Sequence, residues 1–245
     1  MKSIYEKSEL TFSLLWIIVY IVAMSLGDYF SSLIGIEKIF TTPIVLFFAI
    51  SILIWIRKSG ESKKYGLIKG TFPQKTYLYF IPLIITVSIN FWGGVDLQYT
   101  AVETILYIAS MLCVGFVEEI IFRGFLFKAL CKKSLKVAII VSSLTFGFGH
   151  VVNLLSGADF VRTLLQIGYA TAAGFLFTII FYKSKSLLPC IITHSLMNAT
   201  SVFARHTDLT MDIITSVILT VILVGYMLWI LKISRTQDSS VSTNP

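Results

Sequence analysis

Two adjacent carboxylates and a guanidinium stand in an otherwise apolar stretch, VEEIIFRGFLF, as Glu118, Glu119 and Arg123. Near the centre of a bilayer each such charge costs at least roughly 2.5–3.5 kcal/mol, so their presence needs a compensating reason. At about 100° per residue of helix, Glu119 and Arg123 share a face and can pair, while Glu118 points elsewhere and is free to meet another group. Further on, FGFGH places Phe146 and His150 one turn apart, with Gly147 and Gly149 allowing a neighbouring helix to approach closely. Asn153 follows by another turn, placed either to hold His150 or to cap the helix. His194 and Asn198 are again four residues apart and can project into one cavity. A carboxylate beside an imidazole can take a proton from water, and a second imidazole with an amide can donate hydrogen bonds to a tetrahedral oxyanion. Peptide hydrolysis needs both parts. Glu118, His150 and His194 could instead supply three ligands to zinc, with water in the fourth position, although the HExxH spacing of zinc peptidases is absent.

The elements that carry these residues must be membrane helices. Of 245 residues 56% are hydrophobic and 13% charged, against roughly one quarter charged in soluble domains. Apolar runs long enough to cross a bilayer follow one another with short polar breaks. They read as about eight spans, at 11–34, 39–56, 76–92, 101–127, 137–152, 161–182, 187–204 and 213–231. The expected fold is therefore an all-α polytopic transmembrane bundle. Lys2 and Lys7 ahead of the first run resemble a signal peptide, but no convincing small-residue cleavage site follows, and the run reads as an uncleaved helix.

Basic residues collect at 2–7, 57–75, 128–136, 183–185 and 232–235. Because Lys and Arg near helix ends are retained inside, this places both termini in the cytoplasm and leaves Lys38, Arg162 and Arg205 outside. The formal charge of +7 thus reflects topology and not nucleic-acid binding. Counted at about 1.5 Å per residue from the cytoplasmic ends, Glu118 lies roughly 15 Å deep, His150 roughly 20 Å and His194 roughly 13 Å. Three helices running in different directions thus bring polar groups to similar depth. Cys113, Cys131 and Cys190 form no disulfide or metal pattern. The loop at 57–75 is basic and suited to anionic lipid. Residues 1–100 hold the first three spans, 101–205 a core with the polar set, 206–233 a last span, and 234–245 a polar tail expected to be disordered. His206, beside Arg205 and Asp208, reads as solvated.

The motifs Glu118-Glu119-Ile120-Ile121-Phe122-Arg123, Phe146-Gly147-Phe148-Gly149-His150 and His194-Ser195-Leu196-Met197-Asn198 resemble the EExxxR, FxxxH and HxxxN hallmarks of the CPBP or Abi family of intramembrane proteases. That family includes the Rce1-type CAAX prenyl endopeptidases, and the resemblance covers about residues 100–205. It implies an endopeptidase in which Glu118 and His150 activate water, His194 and Asn198 stabilise the oxyanion, and Glu119, Arg123 and Phe146 support them. It implies no required cofactor, with zinc the alternative that the family's older description as metalloproteases keeps open. The expected partners are the lipid bilayer and a membrane-associated peptide or protein, a prenylated protein or a pheromone or bacteriocin precursor, reached through a site opening to the cytoplasm of a bacterial plasma membrane. Two other readings stand beside it. A proton-coupled transporter would use a buried Glu, Arg and His relay, but inverted repeats are not seen. A non-catalytic immunity or membrane partner would keep the fold and bind a peptide or enzyme.

Overall fold

Every long helix begins where the sequence supplies a cap or a turn, and the caps set where the chain enters and leaves the bundle. The computed structural model describes residues 2–68 and 80–241. After a short helix α1 (Lys2–Lys7), Ser8 caps α2 (Glu9–Ile34) by accepting from the Thr11 amide at 3.1 Å, and Gly35 ends it in the left-handed conformation at φ 74°. α3 spans Thr41–Lys58, and α4 (Ile81–Ser88) continues as a 3-10 turn to Phe91. Thr100 and Glu103 form a reciprocal capping box at the start of α5, which runs Ala101–Cys131. Ser134 opens α6 (Leu135–Gly149), which tightens into a 3-10 segment over His150–Ser156. Asp159 caps α7 (Phe160–Ser184); α8 (Leu188–Thr200) and α9 (Leu209–Val241) complete the chain.

The all-α membrane bundle is what the structure has. Six helices are long and apolar enough to cross a membrane: Glu9–Ile34, Thr41–Lys58, Ala101–Cys131, Leu135–Ser156, Phe160–Ser184 and Leu209–Lys232. Apolar side chains such as Ile18, Phe47 and Val221 face outward, as lipid contact requires. The third and seventh expected spans are represented by shorter helices. Pro82–Phe91 is one, with 76–79 outside the described residues, and Leu188–Thr200, about 20 Å long, is the other. Of the loop at 57–75, residues 69–75 lie outside the described residues; the remainder is tied into the bundle, because the Leu187 amide donates to Gly66 O at 2.9 Å and Ser186 Oγ to Ile68 O at 2.8 Å. The backbone of 234–241, expected to be disordered, continues α9, since no Gly or Pro interrupts it after the apolar part ends at Lys232; 242–245 lie outside the described residues.

α7 packs against α6 and α9, and α5 packs against α3 and α8. Small residues let these helices close on one another. A Cβ on Gly115 would stand 2.5 Å from the Ser195 amide nitrogen, and one on Gly147 would stand 2.9 Å from Thr171 Cα. Gly149, expected to serve the same purpose, meets nothing within 4 Å. Gly115 brings α8, with its His194 and Asn198, against the helix that carries Glu118. The phenylalanines of VEEIIFRGFLF belong to the core: Phe122, Phe125 and Phe127 are all buried.

Candidate active site

Directly after Glu119 the helix α5 changes its winding. Ile120–Phe127 forms a π-helical segment whose eight residues are all buried, before a last α-turn at Lys128–Cys131. Such widened turns are rare and are frequently found at functional sites. The i,i+4 pair nevertheless forms as the spacing indicates: Arg123 Nη1 donates to Glu119 Oε1 at 3.0 Å, and both side chains are fully buried. The guanidinium carbon also lies 4.0 Å from the centre of the Phe146 ring and 5.8 Å from that of Phe177.

Glu119 Oε1 accepts a second contact, with His194 Nδ1 at 2.9 Å. A carboxylate on one ring nitrogen fixes that nitrogen as the donor and aims the other, Nε2, away from it. That second nitrogen lies 3.6 Å from Glu118 Oε2. The remaining oxygen of Glu118, Oε1, accepts from the Tyr20 hydroxyl at 2.9 Å. A continuous polar chain therefore runs from Arg123 through Glu119, His194 and Glu118 to Tyr20, joining α5, α8 and α2. Tyr20 is 5% exposed and lies on the first long helix. No motif contains it, and its only sign in the sequence is a hydroxyl in an apolar run that also carries Asp28.

Glu118, Phe146, His150 and Asn198 line one cavity of about 370 Å³, together with Tyr20 and Asn153. His194 is not among its lining residues and is 6% exposed, so it stands behind Glu118. Phe146 separates the two imidazoles, with its ring 5.7 Å from that of His150 and 5.5 Å from that of His194, edge-on to both. His150 thus faces Glu118 across the cavity without a hydrogen bond between them among the described residues. Asn153 donates to Gln166 Oε1 at 2.9 Å and neither holds His150 nor caps its helix. The structure brings Glu118, Glu119, Arg123 and His194 into direct contact, and sets His150 and Asn198 on the walls.

Among the described residues, no group of three His, Cys, Asp or Glu side chains is arranged to hold a metal ion. Of the three residues named for the zinc alternative, His194 turns Nε2 toward Glu118 at 3.6 Å, and the Phe146 ring lies against the imidazoles of both His150 and His194. The cavity is also walled by Asp28, Lys38, Asn90, Ser156 and Ser201, which lie at the helix ends opposite the basic loops. Depth along a helix says how far a residue lies from either face but not which end is plugged.

Residues 100–200 match the family described as type II CAAX prenyl endopeptidase Rce1-like. Over these residues the chain is similar to the Rce1-like family. The matched segment holds Glu118, Glu119, Arg123, Phe146, His150, His194 and Asn198 and excludes Tyr20. That similarity supports a CAAX-protease-like intramembrane endopeptidase in general, and six helices are long and apolar enough to cross a membrane. A comparison with curated proteins finds no match.

Proposed function

We propose that this protein hydrolyses a peptide bond of a membrane-associated substrate with Glu118 as the general base, in a bacterial plasma membrane. The observation that carries the reading is the position of Glu118. Its carboxylate lines the cavity, accepts from the Tyr20 hydroxyl at 2.9 Å, and has His194 Nε2 at 3.6 Å. Anchored by Tyr20 with His194 beside it, the carboxylate is oriented for a water in the cavity, and orientation of the reacting groups is a large part of the barrier that an enzyme removes.

Glu118 takes a proton from that water as its oxygen attacks the scissile carbonyl. The carbonyl oxygen becomes an oxyanion, and Asn198 and His150, on the cavity wall, are the groups able to donate to it. Glu118 then returns the proton to the leaving amine, so the base ends the cycle as it began. In this scheme Asn198 keeps the oxyanion role that the family resemblance implies. His194 becomes a positioning residue, since Glu119 fixes its ring and it does not line the cavity. Arg123 balances Glu119, and Phe146 carries both the guanidinium and the two imidazole edges.

The test compares wild type with Glu118→Gln, each purified in detergent, on a library of membrane-associated peptides, with and without a chelator. Glutamine keeps the shape and removes the base. Cleavage by wild type alone, unaffected by chelation, is expected. Equal cleavage by both forms ends the assignment of Glu118, and loss on chelation that zinc restores makes the protein a metalloenzyme.

A further inference from the structure

The same helices that open the cavity at one end seal it at the other. α2 carries Tyr20, Met24 and Asp28 along the cavity wall and, toward its N-terminus, Phe12 in an aromatic plug. Phe12, Trp55, Tyr65 and Phe125 come from four separate stretches of chain, and their ring centroids lie 5.0–6.1 Å apart. Phe12, Tyr65 and Phe125 are at most 2% exposed. Across this end Glu9 binds Lys64 at 2.6 Å and Lys132 at 3.1 Å, and the 59–68 turn is stitched to the start of α8. The basic face is therefore closed by packed rings under ion pairs.

At the opposite end no such four-ring cluster is found among the described residues. The active-site cavity is bordered there by the Asp28–Lys38 ion pair, at 2.8 Å, and by Ser156. It also abuts a second cavity of about 480 Å³, and Asn90, Gln166, Tyr169, Met197 and Ser201 line both. The second cavity reaches Arg205 and His206 in the loop that follows α8, and Arg162, which holds Asp212 at 2.7 Å. A polar path thus leads from Glu118 to the face that bears few basic residues. Positive charge retained inside makes that the extracytoplasmic face.

From these facts we infer that the site takes its substrate from outside: a peptide segment at the outer membrane surface, not a lipidated cytosolic tail. The inference rests on the peptidase reading above for what is done to the segment, and on the cavity alone for where it enters. The paired charges at the mouth suit an extended peptide with polar groups along it, since its backbone can exchange water for Asn90, Asn153, Gln166 and Ser201 as it advances.

Entry is tested by cysteine labelling that needs no activity. Ser25→Cys and Ser156→Cys line the cavity, and Ser59→Cys lies on the basic face. A membrane-impermeant maleimide added to intact cells should label Ser25→Cys and Ser156→Cys above the level of the unsubstituted chain, which holds Cys113, Cys131 and Cys190. It should label Ser59→Cys only in inverted vesicles. The reverse pattern overturns the inference. The substrate is tested with single-span reporters that carry randomised segments beside the membrane on either face, in cells with wild type or Glu118→Gln. Cleavage that depends on Glu118 is expected only in the outward set, and its appearance in the inward set overturns the inference. Cleavage dependent on Glu118 in neither set refutes the peptidase reading and the substrate with it, while the labelling still decides the face.

Discussion

Replacing Tyr20 with phenylalanine removes one oxygen from the centre of the bundle and nothing else. The hydroxyl donates to Glu118 Oε1 at 2.9 Å from a side chain 5% exposed, so water does not replace it cheaply. Hydrogen bonds to charged groups are worth about 1.5–3 kcal/mol, which is about a 10- to 150-fold change in rate when the bond serves the transition state. If Tyr20 acts by holding the base, the loss falls on kcat, with KM nearly unchanged. The measurement is steady-state cleavage of a peptide that the wild type cuts in a Glu118-dependent way, with thermal unfolding in detergent run in parallel. A Tyr20→Phe protein with the wild-type kcat would refute the claim that α2 takes part in the site. A loss of rate matched by a large fall in melting temperature would show that the hydroxyl serves the fold and not the base.

Other substitutions test the remaining parts. Asn198→Ala, measured on the same peptide, should lower kcat by about 100- to 1000-fold, the usual effect of removing an oxyanion donor, without lowering the melting temperature. Arg123→Met leaves Glu119 buried without its cation and should cost about 3–5 kcal/mol in thermal or denaturant unfolding, whereas adding Glu119→Gln to it should recover part of that loss. Gly115→Ala forces a methyl group to within 2.5 Å of the Ser195 amide nitrogen and should destabilise by about 1–3 kcal/mol or more while also lowering activity, since it pushes α8 from α5. Lys64→Met, at a partly exposed ion pair with Glu9, should cost no more than about 1 kcal/mol by the same unfolding measurement.

Much of this architecture is legible in local sequence because membrane helices satisfy their own backbone. The helical spacing that pairs Glu119 with Arg123 and turns Glu118 away needs only the period of the helix, and the structure has both. The caps at Ser8, Thr100, Ser134 and Asp159 are equally local. What escaped the sequence depends on contacts between distant segments. The π-helical turn over Ile120–Phe127, buried along its whole length, has no residue signature. The contact of His194 Nδ1 with Glu119 joins α8 to α5, which pack closely at Gly115. Tyr20 lies outside all three motifs, so only the packing of α2 against the π-helical turn reveals it. The closed end likewise needs Phe12, Trp55, Tyr65 and Phe125 together, and no window of sequence contains them.

The charge balance of the buried set explains why two carboxylates are carried where one would serve as the base. Glu119 is spent on Arg123 and on His194 Nδ1, and it lies off the cavity. Its work is to keep the His194 ring turned so that Nε2 faces Glu118. One guanidinium against two carboxylates leaves a single negative charge on the resting set. In the proposed step the proton that Glu118 takes from water brings the buried set to neutrality as the oxyanion places a new negative charge in the cavity. Low dielectric makes each of these charges expensive alone and cheap in balanced pairs. An arrangement that discharges one carboxylate as it creates one oxyanion keeps the total nearly constant through the step. The second glutamate, the arginine and the tyrosine are thus parts of one electrostatic unit, and removing any of them is expected to change the rate at which Glu118 works before it changes what the cavity binds.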